Sequence, residues 1–303
     1  MLKMTRTAAI SLVMTMAATV SGQEPSPPDI ATVEPDLVLP EIEIDAAPAP
    51  GKRVFWRPPG DPAEVPPLVL YLPVDWSPGK KFPVLCEYAG NGNFKNAIGD
   101  ISTGRPEGSK LGYGLSGGKG CIWACLPFLN DAGDALAITW WGSPPTHRPD
   151  ATVAHAKRSV PAVCAAFSGD PDRVILCGFS RGAIACNAIG LHDEEIAKRW
   201  RGFFCYSHYD GAREGWPFAG ADRASALVRL RRLGNRPQFL CQEGVRSAGV
   251  GLDATRKYLA ETGLTGDFTF VSTGFRNHND AWLLRPSPAR AAAREWLARV
   301  ISQ

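Results

Sequence analysis

From about residue 82 to the C-terminus, short apolar runs alternate with amphipathic stretches. "RVILCGF" (173–179) is almost wholly apolar, the form of a parallel strand buried on both faces. "FPVLCEY" (82–88), "CIWACLPF" (121–128), "ALAITWW" (135–141), "GFFCYS" (202–207), "QFLCQ" (238–242) and "DFTFVSTG" (267–274) read as further strands. Val54–Trp56 and Leu68–Val74 are earlier ones. Helical periodicity marks Ala151–Phe167, interrupted by Pro161, and Asp222–Leu233, stopped by Gly234. Leu252–Gly263 is another helix, and Ser287 with Pro288 opens a C-terminal one. Residues 95–119 read as a glycine-rich loop with one short helix. Strand and helix in alternation call for an α/β architecture with a mostly parallel sheet and helices on both faces. Active sites of such sheets gather beyond the carboxyl ends of the strands.

The N-terminal fifty residues break this pattern. Lys3 and Arg6 precede a mostly apolar stretch, Ala8–Val20, and small residues close it before Gln23. Residues 1–22 therefore read as a signal peptide, too short to span a bilayer, and imply a secreted or periplasmic protein. Residues 23–50 hold seven prolines, seven acidic residues and no lysine or arginine, a composition expected of a disordered linker. The folded domain is then 51–303.

The chain has 303 residues and a formal charge of +3, which leaves residues 51–303 moderately basic at +8. No dense Lys/Arg run is present, so a nucleic-acid partner is not expected, whereas an acidic polysaccharide fits. Oligomeric state is not legible. Of eight cysteines, Cys86, Cys177, Cys205 and Cys241 fall inside expected central strands, as small apolar residues rather than a disulfide framework. Cys121 and Cys125 share a face if they lie on a strand, and no CxxC spacing points to zinc.

The candidate chemistry centres on Gly178-Phe179-Ser180-Arg181-Gly182, which fits G-x-S-x-G between an apolar strand and a small-residue helix start. A nucleophile raised on a strained turn needs small neighbours two before and two after. The helix that follows points free N–H groups at developing negative charge. The segment resembles the nucleophile elbow of the α/β-hydrolases. "YLPVDWSPGKKFPVLCEYAGNG" (71–92) is similar to the entry strands of secreted serine esterases, the group of feruloyl and acetyl-xylan esterases and polyester depolymerases. Where those families carry His-Gly, this chain has Ala89-Gly90-Asn91-Gly92. The resemblance covers most of 65–300 and implies the α/β-hydrolase fold, a serine acyl-enzyme and no metal or organic cofactor.

It implies an oxyanion hole from the Arg181 amide and an amide of Asn91 or Gly92. A base is expected after the last strand, where His278 stands in "TGFRNHNDAW". The acid is open. The usual place, a few residues after "QFLCQ", holds Arg246 or Ser247, leaving Asp210 or Glu243. Trp140, Trp141, His208, Tyr209, Trp216 and Trp282 are candidates for a wall that meets a sugar or aryl ester. Lys119, Arg181 and Arg276 are candidate contacts for an acidic substrate group. The expected activity is hydrolysis of a small-molecule or polysaccharide-linked carboxylic ester. A peptidase on the same fold and a non-catalytic, hydrolase-like binding protein are the alternatives.

Overall fold

Every residue of the strand Phe82–Tyr88 (β3) is buried, and its side chains divide between two cores. Val84, Cys86 and Tyr88 enter one, and Leu85 the other, as the two-residue period of a strand covered on both faces demands. The computed structural model describes residues 26–244 and 251–302. Its main sheet has eight strands. Arg53–Trp56 (β1) and Leu68–Tyr71 (β2) precede β3, and a small hairpin, Phe94–Lys95 (β4) and Ile101–Ser102 (β5), follows it. Then come Ile122–Leu126 (β6), Gly169–Phe179 (β7), Gly202–Tyr206 (β8), Gln238–Gln242 (β9) and Phe268–Ser272 (β10). The order is β1-β2-β6-β3-β7-β8-β9-β10. The pairs β1–β2 and β2–β6 are antiparallel, and every other pair is parallel.

One face is covered by Asp150–Phe167 (α2) and Arg181–Ala188 (α3), the other by Leu111–Ser116 (α1) and Pro288–Ile301 (α7). Glu194–Ala197 (α4), Arg223–Leu230 (α5) and Leu252–Thr262 (α6) complete the α-helices among the described residues. None of them is long and apolar enough to cross a membrane. All eight cysteines are buried free thiols.

Three expectations are corrected. Helix α2 runs through Pro161 without a break. "ALAITWW" is not a strand but an irregular segment whose carbonyls turn toward Arg181. Residues 26–50 are not a free linker but a strap along the domain. Ile30 is buried, and Val33, Leu37, Leu39 and Ile42 pack on the same core. Its acids meet the basic surface: Asp29 with Arg276, Asp36 with Arg290, Glu43 with Lys52. Composition hid this because Arg276 and Arg290, which hold the strap's first half, lie 247 and 254 residues from their partners. The expected signal peptide, 1–22, lies outside the described residues.

Candidate active site

Strand β7 ends at Phe179, and Ser180 occupies the turn into α3 with φ 55° and ψ −113°. A non-glycine residue in that region is strained, and the surroundings hold it there. Its N–H donates to the Tyr206 carbonyl at 2.8 Å, and its own carbonyl accepts from Ala183 at 3.0 Å. The flanking glycines are obligatory. A β-carbon on Gly178 would lie 2.1 Å from the Gly182 carbonyl oxygen, and one on Gly182 would lie 2.0 Å from that of Tyr88.

The imidazole of His278, in the loop after β10, lies between Ser180 and Glu243. Its Nε2 is 3.0 Å from Ser180 Oγ, and its Nδ1 is 2.8 Å from Glu243 Oε1. Glu243 follows β9 directly. It stands earlier than the position expected of the acid, and its carboxylate still reaches the imidazole. Ser180, Glu243 and His278 are each mostly buried, which strengthens their mutual hydrogen bonds.

Asp210 is elsewhere. Its two oxygens accept from Arg229 Nε at 2.8 Å and Nη2 at 3.0 Å, a bidentate buried pair that ties the loop after β8 to α5. It has no reach to His278. What stands beside Glu243 and His278 is Ser207, at φ 90°. Its Oγ lies 3.1 Å from Glu243 Oε1 and 2.9 Å from His278 Nδ1. Nothing in the sequence around Ser207 marks it, because its role depends on the two residues that converge on it.

Asp100 is a second residue that sequence reasoning missed. It is buried, accepts the His278 N–H at 3.0 Å and bonds the side-chain amides of Asn277 and Asn279. The phenyl rings of Phe179 and Phe94 stand 4.8 and 5.1 Å from the imidazole centroid.

On the other side of Ser180, the Arg181 side chain turns inward. It is essentially fully buried and meets no carboxylate among the described residues. Its Nη1 donates to the carbonyls of Ala137, Ile138 and Trp140, its Nη2 to those of Gly90 and Gly104, and it stacks 3.9 Å over Phe128. Burial pulls its pKa down. A side chain in this role is no contact for an acidic substrate, and Arg276 is likewise taken up by Asp29. Of the two expected loop donors, the Gly92 N–H is committed to the Ile138 carbonyl at 2.9 Å. Asn91 fixes the loop with its side chain, accepting from Trp140 N at 2.7 Å. Its backbone N–H has no partner among the described residues. The Arg181 N–H, at the first position of α3, has no intrahelical partner either.

The expected aromatic wall is thinner than its sequence suggests. Trp141 and Trp282 have no exposed surface. Tyr209 is buried with its hydroxyl on Gln238 at 2.6 Å. All three are core. His208 stands near the site, 5.5 Å from both the His278 and Trp216 rings. Burial first, then the neighbouring His278, pulls the His208 pKa down to about 4, so it is neutral at neutral pH. The loop 245–250, with Arg246 and Ser247, lies outside the described residues.

An eight-stranded, mostly parallel sheet with a strained serine between β7 and α3 places the chain in a known architecture. It has the α/β-hydrolase fold. No family model matches the sequence, and no curated protein matches it. Among solved structures it is similar to a putative dipeptidyl aminopeptidase IV from Bacteroides ovatus, with a TM-score of 0.51 and 12% identity over 78% of this chain and 33% of that one. It is also similar to a thermostable esterase, with a TM-score of 0.47 and 15% identity over 77% of this chain and 58% of that one. An acetyl ester-xyloside bifunctional hydrolase from Caldicellulosiruptor lactoaceticus has a TM-score of 0.48 and 16% identity, over 84% and 97% of the two chains. The chain thus spans less than two thirds of the first two.

Proposed function

We propose that this protein is a secreted serine hydrolase that cleaves a carboxylic ester, with a carbohydrate or aryl ester as the substrate class. The observation that carries the reading is His278 bridging Ser180 Oγ and Glu243 Oε1 at 3.0 and 2.8 Å. In this mechanism Ser180 Oγ attacks the acyl carbon as His278 Nε2 takes its proton. The C–O bond to the alcohol breaks, and Nε2 hands that proton to the departing oxygen. Water then adds to the acyl carbon, the bond to Oγ breaks and the serine regains a proton. Glu243 holds the ring in the tautomer with Nε2 free and stabilises the imidazolium. The amides of Asn91 and Arg181 are the proposed oxyanion donors.

A fluorophosphonate probe tests the nucleophile. Wild type is expected to carry one adduct on Ser180 and Ser180→Ala none. Absence of labelling on wild type would favour the binding-protein alternative. Turnover of 4-nitrophenyl acetate against an aminoacyl 4-nitroanilide tests the reaction class, and preferential cleavage of the anilide would favour a peptidase. Secretion is supported by the basic and apolar pattern of residues 1–22.

A further inference from the structure

The loops that carry Glu243 and His278 have no regular secondary structure at those residues, so something outside them must set their position. They are joined to each other, with Gly244 N–H donating to the Phe275 carbonyl at 2.7 Å. On one side Asp100 grips the His278 loop. On the other side lies the N-terminal strap. The Pro28 carbonyl accepts the Arg276 N–H at 3.0 Å. Asp29 accepts from the Arg276 guanidinium at 3.1 and 2.8 Å. The Ile30 N–H donates to Asn277 Oδ1 at 2.7 Å, and the Ile30 side chain is buried in the same core as Phe275 and Tyr206. Pro27 covers the acid loop so closely that a β-carbon on Gly244 would meet its Cγ at 2.6 Å.

Four consecutive strap residues therefore touch the residue after Glu243 and the two residues before His278. The rest of the strap is held independently: Asp36 pairs with Arg290 on α7, and the Leu37 N–H donates to the Leu284 carbonyl at 3.2 Å. We infer that residues 27–30 are a positioning element for the acid–base pair, fixing both loops so that Glu243, His278 and Ser180 stay in line. The inference rests on the roles proposed above for Glu243 and His278. Displacing a catalytic group by a fraction of an ångström costs turnover rather than binding.

The test is made in the full chain. Asp29→Ala/Ile30→Pro removes the ion pair, the N–H donor and the buried Ile30 side chain. Proline suits residue 30, the first residue of a short 3₁₀ turn preceded by extended backbone. Asp36→Ala is the control, because it loosens the strap where it touches neither loop. The readouts are kcat and KM for 4-nitrophenyl acetate, and the imidazole N–H resonance of His278 that reports its bond to Glu243. The double variant is expected to lose about tenfold in kcat with KM within about twofold, and to broaden or lose the resonance. Asp36→Ala is expected to lower Tm while leaving kcat and the resonance unchanged. A folded double variant with wild-type kcat and a wild-type resonance would overturn the inference, as would equal losses in the control. If wild type hydrolyses no ester, the proposed function fails, and the resonance comparison still decides the strap.

Discussion

Two regions meet at Ser180, and they are built in opposite ways. The elbow side is local: strand, serine and helix are consecutive, and the glycines two before and two after are required because a β-carbon at either would fall about 2 Å from a backbone oxygen. Its one distant component, Arg181, is in the motif itself and gathers five carbonyls from three loops. The side around His278 is assembled from afar. Glu243 is 35 residues from His278, Ser207 is 71 from it, and Asp100 is 178 away. A short motif can specify the first kind of region. The second needs a register among β8, β9 and β10 that only the folded sheet provides.

The comparison yields an ordered set of expectations. Ser180→Ala should lower kcat/KM for an ester by at least about 10⁴-fold, since it removes the attacking atom. Glu243→Gln should cost about 10²- to 10⁴-fold in kcat with little change in KM, because the amide no longer stabilises the imidazolium. An equally large loss in Asp210→Asn without unfolding would break the distinction drawn between the two carboxylates. Arg181→Met should cost about 10²-fold in kcat and several kcal/mol of stability, measured by urea denaturation, as buried carbonyls lose their donors. If Arg181→Met kept wild-type kcat, the elbow side would not depend on its buried cation. Ser207→Ala should cost about three- to tenfold in kcat with KM unchanged, a smaller effect because Glu243 still bonds the ring.

A last effect, on stability rather than rate, concerns pH. His208 is held at about 4, below its unfolded value near 6.5, so the unfolded chain binds the extra proton between those values. Its contribution is therefore present above about pH 6.5 and is lost as pH falls toward 4. His208→Phe should remove at most about 3 kcal/mol of that acid loss, read from denaturation curves between pH 7 and 4. A gap between the two proteins that stays constant over this range would contradict it.

Ser180 and His278 were legible because each follows an apolar strand in the order the fold demands. Which carboxylate meets His278 was not, since Asp210 and Glu243 both follow strands beside β7 or one strand further out. What separates them is Arg229, nineteen residues beyond Asp210, which occupies both of its oxygens. Asn91 and Gly92 were indistinguishable until the Ile138 carbonyl took the Gly92 amide. Aromatic residues near the motif looked like pocket walls, yet Trp141 and Trp282 face the core, a matter of side-chain direction that spacing alone does not carry. The strap was misread because its ordering comes from Arg276, Asn277 and Arg290 at the other end of the chain.

The most direct test is the rate at which a fluorophosphonate modifies Ser180, followed by mass spectrometry in wild type, Ser180→Ala and Glu243→Gln. The account predicts a single adduct on Ser180 in wild type, none in Ser180→Ala, and at least about a hundredfold slower labelling in Glu243→Gln. An unlabelled wild type, or Glu243→Gln labelled at the wild-type rate, would contradict it.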